Sequence, residues 1–175
     1  MLDHDESKAK FIRLGIIGNC GCGKSSLLRR IISDDFSLER SKTIYCDWPR
    51  VSLFHLNREL IFQIRDTASQ EKFGPMPRMF YYNLDIVLVL FDVCNRTSFE
   101  NIETWIKEAR RNNSKDAIMI VIGNKTDKED REVTYEKAFL KCQDLMCFYL
   151  EYSAKNRFNH SSLWKAICEI SLRQL

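Results

Sequence analysis

Gly18-Asn19-Cys20-Gly21-Cys22-Gly23-Lys24-Ser25 decides the architecture. It fits the phosphate-binding loop pattern of a glycine, four residues, then Gly-Lys-Ser. The apolar run before it, residues 11–17, reads as a buried strand, and residues 25–32 after it read as a helix. A loop between the two can wrap a phosphate chain with backbone N–H groups and aim the positive helix end at it. Gly18, Gly21 and Gly23 leave room for close backbone approach. Lys24 supplies a point charge for β- and γ-phosphates, and Ser25 a hydroxyl for Mg²⁺. Asn19, Cys20, Cys22 and Ser26 complete the candidate loop. The motif implies a nucleoside triphosphate without saying which base.

Working outward, apolar strand-like runs alternate with amphipathic helical ones, which argues α/β with a mostly parallel sheet. Residues 51–56 and 60–64 read as a hairpin turning near Asn57-Arg58. Residues 86–91, 118–122 and 148–150 read as further buried strands. Thr97 can open a helix with Ile102, Trp105, Ile106 and Ala109 on one face. Thr134 can cap another, with Ala138, Phe139, Cys142 and Leu145 inward. Ser161 or Ser162 can cap the last, with Leu163, Ala166, Ile167 and Ile170 inward. The total is six strands, one of them antiparallel, with helices on both faces. Residues 1–10 are polar and expected to fray, leaving 11–175 as one domain.

Bulk composition narrows the classes. The 175 residues are 45% hydrophobic, enough for a sizeable single core. Net charge is +3 with no basic arm, so nucleic acid is not an expected partner. Arg29-Arg30 and Arg110-Arg111 read as solvated helix faces. Seven cysteines without framework spacing, and a polar N-terminus without a signal core, fit reduced thiols in a cytoplasmic protein. Cys20 and Cys22 lack further converging zinc ligands in the sequence.

Three more segments close strands. Asp66-Thr67-Ala68 puts a carboxylate where it can hold Mg²⁺ through water, opposite Ser25. Asn124-Lys125-Thr126-Asp127 offers an aspartate that can accept both N1–H and the 2-amino group of guanine, a match adenine cannot make. Ser153-Ala154-Lys155 can present a backbone N–H to guanine O6.

With these four ordered signatures the chain, from about Lys10 to Leu172, resembles a Ras-superfamily small GTPase and most of all the Rab family. Thr43-Ile44 before Asp47-Trp48, Gln63-Ile64 before Asp66, Phe73 after Glu71, and Arg131-Glu132-Val133-Thr134 add the Rab flavour. The resemblance implies a P-loop NTPase G domain that binds GTP and GDP with Mg²⁺. It implies slow GTP hydrolysis, as a switch in membrane traffic. Lys24 would bind the β- and γ-phosphates, while Ser25 and Thr43 would ligate Mg²⁺ and Asp66 hold it through water. Phe36 would lie edge-on to the base, and Gln70 would orient the attacking water. Asn124 and Asp127 would fix guanine, Lys125 and Lys155 would flank it, and Ala154, between Ser153 and Lys155, would bond O6. Implied partners are an exchange factor, a GTPase-activating protein and effectors at the switch regions, around a monomer. A prenylated tail beyond Leu175 would place the protein on the cytosolic face of endomembranes.

Four residues depart from that pattern. Ser69 stands where the family has glycine, and its Cβ restricts the second switch. Cys20 puts a thiol beside the γ-phosphate position. Arg65 replaces a tryptophan and Tyr45 a glycine on the surface that effectors read. The competing expectation is therefore a GTP-binding interaction module that scarcely hydrolyses or switches. A small ATP-dependent enzyme is disfavoured by the guanine-matching segment.

Overall fold

The computed structural model describes residues 9–33, 42–43, 48–66 and 76–174. The strands are β1 (Lys10–Gly18), β2 (Lys42–Thr43), β3 (Arg50–His55), β4 (Arg58–Asp66), β5 (Ile86–Asp92), β6 (Ile118–Asn124) and β7 (Phe148–Glu151). The helices are α1 (Lys24–Ser33), α2 (Arg96–Glu100), α3 (Ile102–Asn112), α4 (Tyr135–Asp144) and α5 (His160–Gln174). They form one sheet in the order β2-β3-β4-β1-β5-β6-β7. The six expected strands are present, and the two-residue β2 adds a seventh at the edge. Only β3 runs against the others, since β2 and β4 each pair with it antiparallel.

Period-two side-chain alternation sends each strand's residues to two layers. Ile86, Leu88 and Leu90 of β5 join Leu27 and Ile31 of α1 and Leu163, Trp164 and Ile167 of α5 in one core. Val87, Val89 and Phe91 of the same strand face the other way, against Phe99, Ile102, Ile106, Ala109, Ala138 and Cys142. Burial on both faces explains why β5 reads as an uninterrupted apolar run. β4 differs: Leu60, Phe62 and Ile64 enter the first core. Ile61, Gln63 and Arg65, on its other face, are only half-buried.

The register aligns the strand ends at one edge. Asp66 lies opposite Ile16 and Gly18 opposite Leu90. Asp92 lies opposite Asn124, and Gly123 opposite Glu151. The carboxyl ends of β1, β4, β5, β6 and β7 therefore lie side by side. Ligands of open α/β sheets bind at such carboxyl ends.

Several local expectations are corrected. The hairpin turns at Leu56-Asn57, because His55 pairs with Arg58. Both turn residues take positive φ (49° and 59°), as a type I′ turn requires. The helix expected from Thr97 is two helices. Asn95 caps the first by accepting from the Ser98 N–H at 2.9 Å. Thr134 caps α4 as expected, accepting from Lys137 N–H at 3.3 Å, but Phe139 is 39% exposed rather than inward. α5 starts at His160, so Ser161 and Ser162 lie inside it rather than capping it. Arg30 and Arg110 are not merely solvated. Arg30 donates to the Ala154 and Lys155 carbonyls, and Arg110 to that of Leu145.

Candidate nucleotide site

The phosphate-loop segment sits where β1 hands over to α1. The chain leaves β1 at Gly18, with φ +138°, and a Cβ there would lie 2.2 Å from the Leu90 carbonyl oxygen. Gly23 has φ +101°, and its Cβ would fall 2.2 Å from Asn124 Nδ2. Any side chain at either position meets backbone or a buried amide. The Leu27 N–H bonds the Gly23 carbonyl at 2.9 Å, so the helix opens directly behind the loop. The Lys24 ammonium is buried and donates to the Gly18 and Asn19 carbonyls at 2.8 and 2.9 Å. The ammonium is thus held by two carbonyls of the same loop, whose backbone N–H groups are the kind that attract anions. Cys20, Ser25 and Ser26 are exposed at the rim, whereas Cys22 is buried and packs into the first core.

Asn124 ties this loop to the rest of the site. Its side chain is buried, donates to the Cys22 carbonyl at 2.9 Å and accepts from the Ala154 N–H at 3.4 Å. Asp127 is oriented by Ser153, whose hydroxyl donates to Oδ1 at 2.5 Å, while Lys155 Nζ lies 3.9 Å from Oδ2. Lys125 takes φ +66° and pairs with Asp92 at 2.6 Å. Gly23, Ser26, Asn124, Lys125, Asp127, Lys128, Ala154 and Lys155 together line a cleft of about 240 Å³. A carboxylate acceptor beside a lysine stem suits a flat heterocycle bearing two adjacent N–H donors.

Asp66 ends β4 as expected, half-buried at the same edge. With the Ser25 hydroxyl it offers the hard oxygen donors that Mg²⁺ takes. Thr43 is placed as a backbone position in β2, opposite Arg50. Phe36, Ser69, Gln70 and Tyr45 lie outside the described residues. So do most of the two segments expected to sense the γ-phosphate.

Supporting residues to which the sequence reading gave no role in the site come from distant elements. Trp105 of α3 donates its indole N–H to Asn19 Oδ1 at 2.6 Å. Arg30 holds the Ala154 and Lys155 carbonyls at 2.8 and 3.2 Å from α1. Asp92 fixes Lys125, and Lys128 lines the cleft. Cys94 follows Asp92, and desolvation with the neighbouring Asp130 pushes its thiol up to about 11, which keeps it protonated.

A phosphate-binding loop at a strand–helix junction, with a base-sized cleft beside it, defines a P-loop nucleotide-binding α/β domain. The comparisons narrow this. The Ras family model matches residues 13–172, and the chain belongs to the Ras family, as a Rab-like small GTPase. It is similar to the human Ras-related protein Rab-9B, 37% identical over 157 residues, which are 87% of this chain and 78% of the relative. It is similar to the GTP-binding protein ypt2 of Schizosaccharomyces pombe, at 36% over 149 residues covering 85% and 74%. The Ras-related protein RABF2a of Arabidopsis thaliana is 31% identical over 158 residues, covering 90% and 79%. Among the described residues, no helix is long and apolar enough to cross a membrane.

Proposed function

We propose that this chain is a guanine-nucleotide switch that binds GTP with Mg²⁺, hydrolyses it slowly, and acts in membrane traffic. The convergence of Gly23, Asn124, Asp127, Ala154 and Lys155 on one cleft beside the phosphate loop carries the reading. The Asp127 carboxylate, oriented by Ser153, accepts from N1–H and the 2-amino group of guanine. The Ala154 N–H addresses O6, and the aliphatic stem of Lys125 covers the ring. Lys24 and the N-terminus of α1 hold the β- and γ-phosphates. Ser25, Thr43 and Asp66 would hold Mg²⁺, which neutralises charge on the phosphates when bound. Gln70 positions the attacking water. The rate is low without a partner, because no arginine of this chain is assigned to the γ-phosphate. Exchange factors, activating proteins and effectors act at the switch segments of a monomer, on the cytosolic face of a membrane where a lipidated tail is present. Rab-9B and RABF2a being Ras-related proteins, and ypt2 a GTP-binding protein, supports this placement.

Ser69 and the exposed Cys20 favour a second reading, a GTP-held interaction module with little turnover. Single-turnover GTP hydrolysis with Mg²⁺, run on the native chain and on Ser69→Gly, separates the two. Turnover by the native chain with little change in the variant supports the switch. GTP binding without turnover, restored by glycine, supports the module. ATP displacing GTP at equal concentration removes the guanine assignment under both.

A further inference from the structure

The turn that joins α4 to β7 brings two cysteines together. The helix closes in a Schellman motif: the Cys147 N–H bonds the Cys142 carbonyl at 2.9 Å, and the Met146 N–H bonds that of Gln143 at 3.0 Å. Met146 supplies the left-handed residue the motif needs, with φ 53°. The side chains at the two ends of such a turn ordinarily make an apolar contact, and here both are cysteine. By bond lengths alone, the hydrogen bond from Cys147 to Cys142 holds their Cα atoms within about 7 Å, the reach of a disulfide.

Both side chains turn into the second core. Cys142 is buried in it, and the half-buried Cys147 packs against the same cluster. Cys22 and Cys168 belong to the first core, on the other face of the sheet. The Cys147 thiol donates to the Leu145 carbonyl at 3.3 Å, and the Arg110 guanidinium lies 3.9 Å from its sulfur. Burial pushes both thiols up, Cys142 to about 12 with the neighbouring Cys147 raising it further, while Arg110 offsets part of the shift at Cys147. Thiols of high pKa are poor leaving groups, so a disulfide between these two is slow to be reopened.

The two positions differ in access. Cys147 stands between the exposed Met146 and Phe148, whereas Cys142 is only 1% exposed. We propose that Cys142 and Cys147 form a dithiol site that small disulfides oxidise reversibly to an intramolecular disulfide. The Cys147 thiolate attacks one sulfur of oxidised glutathione, which forms a mixed disulfide and expels one glutathione thiolate. Cys142 gives its proton to solvent and attacks Cys147 Sγ; the second glutathione thiolate leaves as the new S–S bond forms. The two cysteines lose two electrons and two protons, and one glutathione disulfide becomes two thiols. The bond pins the end of α4 to the start of β7, the strand that leads into Ser153-Ala154-Lys155. This does not rest on the nucleotide reading, because neither cysteine lines the cleft.

The full chain, reduced and then equilibrated with oxidised glutathione, tests it. Free thiols are trapped with N-ethylmaleimide in guanidinium, and the protein is cut with trypsin and then with Asp-N. Trypsin releases residues 142–155 as one peptide holding both cysteines, and Asp-N cuts between them, before Asp144. The expected peptide carries no label, is two hydrogens lighter, and yields two pieces that stay joined until dithiothreitol parts them. The intramolecular disulfide should exceed the mixed disulfide at Cys147 at least about tenfold in the native protein, and C142S should reverse that ratio. If C142S does not fold, C147S, which should leave Cys142 unmodified, stands in. The proposal is overturned if both cysteines are labelled once Cys20 is oxidised, if glutathione stays on Cys147 in the native protein, or if either cysteine joins any other. Equal equilibrium constants for the folded chain and the chain unfolded in urea overturn it as well, since the fold then contributes nothing to the pairing.

Discussion

β5 and β4 belong to one sheet but are used differently. β5 is buried on both faces, between α1 and α5 on one side and α2, α3 and α4 on the other. β4 has Leu60, Phe62 and Ile64 in the core and Ile61, Gln63 and Arg65 on an open face. Strands covered twice can only offer their ends, and the loops at those ends line the cleft proposed for the nucleotide. Among the described residues, β4 is covered by α-helices on one face only, and its other face carries Gln63 and Arg65. One sheet therefore supplies two surfaces, separated by how many helices lie on each strand.

The largest expected contrast lies in the thiols of the helices that cover the doubly buried strands. Burial pushes Cys142 in α4 and Cys168 in α5 up to about 12 from an ordinary 9.0. At pH 8 each should carry about a thousandfold less thiolate than an ordinary cysteine, and react with an alkylating reagent correspondingly slowly. The exposed Cys20 should label first. The raised values also bind protons more tightly in the folded state. The stability they contribute is full below about pH 9 and is lost as pH rises toward about 12. Labelling of Cys142 or Cys168 as fast as Cys20, followed by mass spectrometry, would break the comparison.

Next in size is Leu88→Ala in β5, expected to cost about 3–5 kcal/mol in urea unfolding, since the side chain is fully buried. Ile61→Ala on the open face of β4 should cost less than about 1 kcal/mol by the same measurement. Equal losses would mean that the open face is packed in solution.

Gly23→Ala should cost about 2–3 kcal/mol, from strain at φ +101° and the clash with Asn124. GDP affinity should fall with it, as displacing Asn124 loosens both loops. Trp105→Phe removes the indole N–H that holds Asn19 together with part of the ring packed on the second core, for about 1–2 kcal/mol. Smallest is Arg50→Gln, expected within about 0.5 kcal/mol of native stability. A larger loss would mean that the Arg50 guanidinium is packed into the fold through the Phe11 ring, 5.4 Å away.

How much was legible in the sequence follows the same division. The phosphate loop, the buried strands and the three further strand-end segments are local patterns, and all emerge at one edge of the sheet. Residues acting across the fold left no local signal. Trp105 reaches Asn19 over 86 positions and Arg30 reaches Ala154 over 124. Arg29-Arg30 read as solvated because nothing nearby in sequence marked the carbonyls that Arg30 meets. Asn95 did leave a signal, an asparagine three residues before Ser98, but Thr97-Ser98-Phe99-Glu100 was the competing opening. The hairpin turn was off by one residue because Leu56 is an unusual occupant of a positive-φ position.

Asn124 is one amide that touches both the loop around Cys22 and the loop at Ala154. Thermodynamic linkage then ties the two halves of a nucleotide together. On the proposed guanine-nucleotide reading, a nucleoside seated against Ala154 should stiffen the place where phosphates go, and a pyrophosphate alone should pre-order the pocket for a base. Guanosine and pyrophosphate added as separate fragments should each sharpen the other's affinity, and neither should leave quickly while the other stays.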